Sequence, residues 1–328
     1  MNNFYIKQSP LTGMVGYGGG GTGLTLHEVS AVVWYGDRGL VIAGHTDGSA
    51  STAVDFFDIT SAGNASDFGD CSQAEWTNGA SNGERAFSCG GTNASGTPQK
   101  FIQSRNISNA GNFSNWGNLT STHRRGAQAC NGTRSLAAYG EDVYNNTSLN
   151  TVEYFDATTS SNGSDFGDLT AARYGQAGMS DATRAVFVNG HTGSGFTNDM
   201  DYFTIDTTGN ASDWGESMDN ANYQGACSNG DRGLIGGGNG GSNNQYQYIT
   251  FATISGASAF GYYGSGNVYG LCGLGNATRA CFAGGLDSNS NSTNIDYVVY
   301  QTTSNGTDFG DLNAQHYNSP GGASGAAS

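Results

Sequence analysis

One arginine recurs through almost the whole chain at a nearly constant interval. Successive copies are separated by 47, 49, 50, 48 and 47 residues, and each begins a short apolar run such as GTRSLAAYG or ATRAVFVNG. The six positions are Arg38, Arg85, Arg134, Arg184, Arg232 and Arg279. This period constrains the fold strongly, because each unit must be one supersecondary element that buries its apolar face against its neighbours.

A second marker, an aromatic residue followed by glycine, keeps the same period. Its intervals are 48, 50, 48, 46 and 49 residues. The aromatic positions are Phe68, Trp116, Phe166, Trp214, Phe260 and Phe309. A period near fifty residues is typical of a kelch-type β-propeller blade.

Each unit divides into four short runs in which apolar and polar residues alternate. In the fourth unit these are ARYGQAGMS, TRAVFVNG, MDYFTID and SDWGES. Alternation with period two indicates β-strands. Because a single four-stranded sheet cannot bury both faces, the units must stack, and a closed ring removes the exposed ends. We therefore predict an all-β fold, a β-propeller of about six four-stranded kelch-like blades.

The propeller is predicted to span residues 27–317, between an N-terminal segment at 1–26 and a Gly/Ser/Ala tail at 318–328. One terminus should add the strand that closes the ring, and the sequence leaves both open. The second unit (FIQSRNI, NFSNWG) and the region 255–272 depart from the repeat. Both retain their markers, so both blades are expected to form.

The charge distribution argues against nucleic acid as a partner. The formal net charge is −15, and the few lysines and arginines form no basic run. Phosphate binding needs clustered cations. The sequence shows neither a charged and apolar signal segment at its start nor a stretch of 18 apolar residues, so we expect no secretory signal and no membrane span.

The six cysteines form no CxxC pair and no metal-finger spacing. Three of them, Cys130, Cys227 and Cys272, precede repeat arginines and should lie on different blades. We predict buried free thiols, with a Cys272–Cys281 hairpin disulfide as the alternative.

Four units place an acidic residue at the matching point of the third run, namely Asp55, Glu153, Asp201 and Asp296, and the other two have Gln103 or Gln247 there. We expect each repeat arginine to pair with this carboxylate or amide, or with a turn aspartate, and to cap backbone carbonyls. The alternative is a ring of six guanidinium groups that binds an anion in the central channel. Residues that recur six times favour the structural interpretation, since catalytic residues rarely need six copies.

The SDFGD motif at Ser66–Asp70 and Ser164–Asp168, with SDWGE at Ser212–Glu216, is interpreted as a tight turn. Aspartate would accept a hydrogen bond from its own backbone, and glycine would take a positive φ.

The loops between the second and third runs differ from unit to unit, although the runs themselves are alike. We expect these loops on one rim of the ring, at His45–Ala53, Thr92–Gln99, Glu141–Asn150, His191–Asp199, Asn239–Gln245 and Leu286–Asn294. Divergent loops on a fixed scaffold are typical of a binding face, although unconstrained drift would produce the same pattern. The candidate partner-binding residues are His45, Asp142, Tyr144, His191 and Phe196.

No motif for catalysis or for a cofactor is found. GYGGGGTG lacks the lysine of a phosphate-binding loop, and GxSxG, HExxH and paired-acid motifs do not occur. His45 and His191 should lie in opposite blades, and no third ligand recurs with them. We therefore predict no enzyme activity, no cofactor and no metal site.

The segments Trp34–Gly39, Thr204–Gly215, Asn276–Gly285 and Thr302–Leu312 resemble the tandem repeats of kelch-like virion proteins from marine phages, notably cyanophages. The resemblance covers about residues 30–317. It implies a structural or adhesive role on the capsid surface, tail or fibre, with other virion proteins and a host-surface glycan as partners. It also implies assembly in the host cytoplasm and release by lysis. A carbohydrate-binding, lectin-like propeller and a kelch-fold enzyme are the alternatives.

Overall fold

The computed structural model describes residues 33–46, 48–241, 244–263, 266–287 and 290–326. The N-terminal segment predicted at 1–26 lies outside these residues. The described chain forms six four-stranded antiparallel sheets arranged as a six-bladed β-propeller, so the predicted fold is confirmed. The same residues contain no helix, and hence none long and apolar enough to cross a membrane.

Each blade has an inner, a second, a third and an outer strand, and the inner strands surround the central axis. Blades one to three comprise, in this order, Gly321–Gly325, Arg38–Thr46, Ser49–Asp58 and Ser66–Asp70; Asn78–Ser81, Arg85–Cys89, Phe101–Asn106 and Ser114–Asn118; and Ala127–Cys130, Arg134–Ala138, Thr147–Asp156 and Ser164–Arg173. Blades four to six comprise Ala177–Ser180, Arg184–His191, Phe196–Thr204 and Ser212–Glu216; Gly225–Ser228, Arg232–Gly236, Gln245–Thr250 and Ser258–Tyr262; and Cys272–Gly275, Arg279–Ala283, Asn294–Val299 and Thr307–Asp311. Short additional strands are Glu141–Asp142, Val268–Tyr269, Leu286–Asp287 and Ser290–Asn291.

The C-terminal strand closes the ring. Gly321–Gly325 pairs antiparallel with Arg38–Thr46 and thereby becomes the inner strand of blade one. The segment expected to be a tail from residue 318 is therefore part of the propeller. Both irregular units form complete blades, as expected from their markers.

The inner strands approach each other so closely that only small residues fit between them. A Cβ atom added to Gly79 would lie 2.5 Å from the backbone nitrogen of Gly322, and one added to Gly322 would lie 2.3 Å from the carbonyl oxygen of Gly273. Six blades bring these strands to a narrow axis, which explains the recurring AGMS, NGAS and GGAS sequences.

The hydrophobic core is divided into six clusters, each of which draws its side chains from two neighbouring blades. In one of them, Phe166 of blade three packs edge-to-face against Phe203 of blade four, with ring centroids 5.4 Å apart. The aromatic residues of the aromatic-glycine marker occupy these clusters. The marker recurs because every pair of neighbouring blades needs the same apolar contact.

The SDFGD motif forms the outer strand, so its interpretation as a tight turn is wrong. The turn chemistry is nevertheless present inside the strand. Gly215 has a φ of 122° at a β-bulge, and its N–H donates to Asp213 Oδ1 at 2.8 Å. Glycine is required there because the outer strand lies against the next blade. At the matching position of blade one, a Cβ atom added to Gly69 would lie 2.6 Å from the carbonyl carbon of Gly111 in blade two. The bulge therefore fits each blade to its neighbour.

Five of the six repeat arginines connect neighbouring blades, and the sixth, Arg85, donates to Ser104 of its own blade. Arg134 donates to the carbonyl oxygen of Ile205 in the next blade at 2.9 Å, and Arg232 does so to Tyr300 at 2.8 Å. Arg38, Arg184 and Arg279 make the corresponding bonds to Ile107, Phe251 and Ile59. Each of the six guanidinium groups also lies 4.5–5.1 Å from the centroid of an aromatic ring in its own blade. The expected capping of carbonyls is thus observed, and it acts between blades.

The expected pairing of these arginines with the third-strand acids is wrong. Arg184 lies opposite Thr204, whereas Asp201 lies opposite Phe187, three residues further along the second strand. Alternation places Arg184 and Asp201 on opposite faces of the sheet. Arg184 contacts Asp181 instead, at 3.0 Å.

The third-strand acids bond to the preceding blade. Asp201 accepts from the N–H of Thr170 at 2.9 Å, and Asp55 accepts from the N–H of Ala314 at 3.1 Å. Glu153, Gln103 and Gln247 accept the corresponding bonds from the N–H groups of Thr120, Ser72 and Met218, respectively. In blade six, burial and the charge of Asp308 raise the pKa of Asp296. These positions therefore recur for a structural reason.

All six cysteines are free and buried, so the predicted disposition is confirmed and the Cys272–Cys281 disulfide is absent from the described chain. Cys272 lies opposite Ala283, and Cys281 lies opposite Leu274.

The strand order gives the ring two different rims. The arginine rim carries the turns from inner to second strand, where the repeat arginines stand, and the turns from third to outer strand. The loop rim carries the loops from second to third strand and the segments that lead from each outer strand to the next inner strand. The predicted placement of the divergent loops on one rim follows from this order.

Candidate functional site

A closed circle of backbone hydrogen bonds surrounds the axis on the loop rim. It is formed two or three residues before each inner strand, and we call it the axial belt. Its members are Trp76, Arg125, Gly175, Tyr223, Gly270 and the pair Asn318–Ser319. Each member donates its N–H to the carbonyl oxygen of the preceding blade's member, over 2.7–3.2 Å. The belt closes because Trp76 donates to Asn318 and Ser319 donates to Gly270.

All belt residues have a left-handed backbone, with φ between 57° and 70° in Trp76, Arg125, Gly175, Tyr223 and Gly270, and of 60° and 55° in Asn318 and Ser319. Two blades place glycine there, which adopts this conformation without a steric penalty. Tryptophan, arginine and tyrosine each lose about 1 kcal/mol by adopting it. Trp76, Arg125 and Tyr223 therefore adopt this conformation at a cost that Gly175 and Gly270 avoid.

The side chains of these large residues meet over the axis. Trp76 and Tyr223 belong to opposite blades, yet their ring centroids lie 5.7 Å apart. The Arg125 guanidinium lies 4.3 Å from the Trp76 centroid and 5.5 Å from that of Tyr174. Tyr174 lies in turn 6.3 Å from Tyr223. We call this half-buried cluster of Trp76, Arg125, Tyr174 and Tyr223 the axial cap.

One carboxylate fixes the arginines at the edge of the axial cap. Glu141 Oε2 accepts from Arg124 Nε at 2.7 Å and from Arg125 Nη1 at 3.0 Å. Arg124 also donates to Asn146 Oδ1 at 2.9 Å. The guanidinium planes are thus held in a fixed orientation beside the aromatic rings. Burial raises the pKa of Tyr223, so this phenol stays protonated as a hydrogen-bond donor at neutral pH.

The residue before each belt position forms an antiparallel bridge with the second strand of the same blade or with the chain just after it. The six bridges are Tyr317–His45, Glu75–Thr92, Arg124–Glu141, Tyr174–His191, Asn222–Asn239 and Tyr269–Leu286. In these bridges, backbone N–H and C=O groups beside the axial cap are bonded to one another.

The two predicted histidines lie at matching positions in opposite blades and have different surroundings. His45 Nε2 lies 2.5 Å from Glu75 Oε2, and the imidazole packs edge-on against Tyr317. The His191 ring stacks on Tyr174 with centroids 5.0 Å apart and contacts Phe196 at 5.2 Å. His191 and Phe196 therefore adjoin the axial cap through Tyr174.

Asp142 and Tyr144 lie together in one turn at the tip of blade three. The N–H of Tyr144 donates to Asp142 Oδ1 at 2.8 Å, and this bond lowers the pKa of Asp142. The Tyr144 side chain is 76% exposed. The structure does not bring these two residues into contact with His45, His191 or Phe196.

Several predicted loops are largely strand. His45–Thr46 and Ser49–Ala53 extend the hairpin of blade one, and Thr147–Asn150 belongs to the third strand of blade three. His191 ends a strand, and Phe196 begins one.

Sequence reasoning missed the axial cap. The available signal was a recurring pair of residues before each inner strand, which begins the segments EWTN, RRGA, YGQA, NYQG, YGLC and YNSP. The exchange of glycine for a large residue at one position of this pair indicates a left-handed site. Nothing in the spacing indicates that the large side chains meet.

Two small cavities lie along the axis, each of about 60 Å³. One lies under the axial belt, and the other is lined on the arginine rim by Trp34, Ser81, Ser180, Ser228 and Ser324 among others. Such a volume holds a few water molecules and is far below the 300–1,000 Å³ typical of small-molecule sites. The described lining residues include no repeat arginine, which argues against the anion-binding ring.

No group of three or more His, Cys, Asp or Glu side chains within the described ranges could hold a metal ion. No protein-family model matches the chain, and no curated protein matches it significantly.

Proposed function

We propose that this chain is a non-enzymatic phage virion structural protein that displays its loop rim for attachment to a partner protein or to the host surface. The observation that carries the proposal is the polarity of the ring. Of the nine large apolar side chains that are exposed in the described chain, six lie on or beside the loop rim, whereas Val33, Ile254 and Val299 lie on the arginine rim.

Val33 and Ala326, at the two ends of the described chain, both lie beside Gly83. It stands in the turn between the inner and second strands of blade two, on the arginine rim. The carbonyl oxygen of Val33 lies against its α-carbon, and the N–H of Ala326 donates to its carbonyl oxygen at 2.7 Å. Val33 and Ala326 therefore both lie on the arginine rim, on the side of the ring away from the loop rim.

Exposed apolar residues mark the loop rim as a contact surface. Large apolar side chains that are more than a third exposed occur in or beside its loops at Phe101, Tyr144, Phe196, Met218 and Tyr269. Together with the axial cap they are distributed over five of the six blades. Clustered exposed apolar side chains are typical of interaction sites.

The scaffold itself suits display. The arginines and third-strand acids connect successive blades, so the ring holds the loops in fixed positions. The small axial cavities offer little room for a substrate, which favours a binding role over catalysis. The resemblance of the repeats to kelch-like virion proteins supports placement on a capsid, tail or fibre, with assembly in the host cytoplasm and release by lysis.

A lectin-like role is the second candidate, and one observation favours it. The axial cap combines aromatic rings with a fixed arginine–glutamate pair at the centre of the loop rim. These are the groups that a sugar-binding surface uses.

The test begins with a mass-spectrometric inventory of purified particles, in which this chain should be present in stoichiometric amount. Particles carrying a Gly-Ser turn in place of residues 143–146 should assemble normally and adsorb to host cells more slowly. This replacement is shorter than the whole predicted loop, because Glu141 and residues 147–150 belong to the fold. The matched control is Ile254→Ser, an exposed apolar residue on the arginine rim, which should adsorb normally. Absence from particles would refute the proposal.

A further inference from the structure

We propose that the axial cap is a saccharide-binding site, in which a pyranose ring stacks on Trp76 and Tyr223 while its hydroxyls bond to the Tyr223 hydroxyl and to Arg125, which Glu141 holds in place. This inference deepens the proposed function, since it names the ligand class of the loop rim and rests on that rim being the recognition surface.

The departure from sixfold equivalence is the first argument. At the repeat arginine, at the aromatic-glycine marker and at the third-strand acid or amide, the side chains make contacts between blades. In the axial belt, Gly175 and Gly270 show which residue the left-handed backbone favours. Three other blades have Trp76, Arg125 and Tyr223 there, and these side chains converge on one point, whereas Asn318 and Ser319 of blade one are small. The convergence gives the three large side chains a common surface that the backbone bonds of the belt do not require.

The chemistry of the cluster is the second argument. A pyranose has apolar C–H faces that pack on aromatic rings, and hydroxyls that donate and accept hydrogen bonds at once. Trp76 and Tyr223 supply half-buried rings, and the tyrosine hydroxyl adds a donor. Arg125 supplies further donors, and its Nη1 lies 3.0 Å from Glu141 Oε2. Glu141 is itself buried and its Oε2 is bonded to both arginines, so it positions the Arg125 guanidinium, whose exposed part can donate to a sugar hydroxyl.

The third argument is that the backbone groups around the axial cap are already hydrogen-bonded, which favours a sugar over an extended peptide as the ligand. Peptides that add a strand need free N–H and C=O groups at a sheet edge. Around the axial cap the belt bonds use those groups, and so do the bridges such as Tyr174–His191 and Glu75–Thr92. A ligand must therefore be recognised by side chains.

The charge of the cluster limits which saccharides fit. Arg124 and Arg125 share the single carboxylate of Glu141, so these three groups carry one net positive charge in a protein of net charge −15. A neutral or singly acidic sugar is compatible with this balance. A polyanion would meet the acidic remainder of the protein.

The experiment uses the full chain on an array of immobilised mono- and disaccharides that includes glucose, galactose, mannose, rhamnose, N-acetylglucosamine and glucuronic acid. The wild type should bind a defined subset, and periodate oxidation of the sugars should abolish binding. Trp76→Gly and Tyr223→Gly should weaken binding to that subset by at least about tenfold in Kd. Both should fold, because Gly175 and Gly270 hold the same belt position in other blades. Tyr174→Leu, at a residue outside the left-handed region, is the second test should either glycine variant fail to fold.

Ile254→Ser is the matched control, because it removes an exposed apolar side chain from the arginine rim, outside the proposed recognition surface, and it should bind the array like the wild type. A blank array, unchanged binding by the axial-cap variants, or binding only to arrayed synthetic peptides would overturn the proposal. The two proposals fail separately. A chain found in particles that binds no sugar refutes only the saccharide site, whereas a chain that binds sugar through the axial cap but is absent from particles refutes only the virion role.

Discussion

The guanidinium of Arg134, at the start of a second strand, donates a hydrogen bond of 2.9 Å to the carbonyl oxygen of Ile205 in the next blade. It also lies 4.5 Å from the centroid of Tyr154 in its own blade. The same geometry recurs around the ring, so these bonds hold the blades together at the arginine rim.

Arg134→Ala should lower the free energy of unfolding by about 2 kcal/mol, since a hydrogen bond from a charged donor contributes about 1.5–3 and a cation–π contact about 0.5–1. Arg85→Ala is the matched control. Arg85 lies over Trp116 but donates to Ser104 of its own blade, so it should cost less. Urea unfolding measures both, and equal losses would show that stacking on the ring, not the bond between blades, stabilises the fold.

Gly79→Ala should destabilise the propeller by about 1–3 kcal/mol or prevent folding, because the new methyl group would lie 2.5 Å from the Gly322 nitrogen and backbone cannot move aside. Gly195→Ala serves as the control, as a Cβ atom there meets nothing within 4 Å. The thermal midpoint of each variant checks this. A Gly79→Ala protein as stable as the control would contradict the close approach of the inner strands.

Asp201→Asn should cost about 3–5 kcal/mol, because it leaves the buried guanidinium of Arg173, 3.1 Å away, without its counter-charge. Burial already lowers the pKa of Arg173, which shows how poorly water solvates this group. The exposed Asp213→Asn should change stability by less than about 0.5 kcal/mol. Chemical unfolding at neutral pH compares the two, and similar small losses would mean that water or rearranged partners compensate Arg173.

Stability should fall in acid through His123. This imidazole is fully buried, stacks on Tyr139 with centroids 3.9 Å apart, and has Nε2 3.3 Å from the Asn78 amide nitrogen. Burial lowers its pKa to about 3, from an ordinary value of 6.5. Between those values the unfolded chain binds a proton that the folded chain does not. The free energy of unfolding should therefore drop by about 1.4 kcal/mol per pH unit from this group as the pH falls from 6.5 toward 3.

His123→Phe keeps an aromatic ring against Tyr139 and removes the proton-binding site, so it should remove that part of the slope. The half-buried His191→Phe is the control. Unfolding curves between pH 4 and pH 8 decide the matter. A slope identical in the wild type and in His123→Phe would show that His123 does not titrate on unfolding.

The native cysteines should be almost unreactive. Burial raises the pKa of Cys71, Cys89, Cys130, Cys227 and Cys272 to about 12, and that of Cys281 well above its usual value. Thiolate is the reactive form. An aromatic disulfide reagent at pH 8 should label none of the six thiols in the folded protein and all six in urea. Ser194→Cys, at an exposed loop position, should be labelled at once, and rapid native labelling of any original cysteine would contradict its burial.

The sequence by itself determined the architecture, because the period of the arginine and of the aromatic-glycine pair follows directly from stacking identical units. It also predicted that the arginines cap carbonyls and that the cysteines stay free, and the structure decided these against an anion-binding ring and a Cys272–Cys281 disulfide. Local pattern was enough for the architecture, since every blade must satisfy the same contacts with its neighbour.

Only the tertiary structure decided which partners the repeated residues have. The register of the second and third strands separates Arg184 from Asp201, and the contact of each blade with the next turns the SDFGD motif into a bulged strand. Gly321–Gly325 closes the ring because it pairs with Arg38–Thr46, and this pairing joins the two ends of the propeller in space. The axial cap was hidden for the same reason. Trp76 and Tyr223 are far apart in the sequence and belong to opposite blades, and they meet only because six blades close around an axis too narrow to keep them apart.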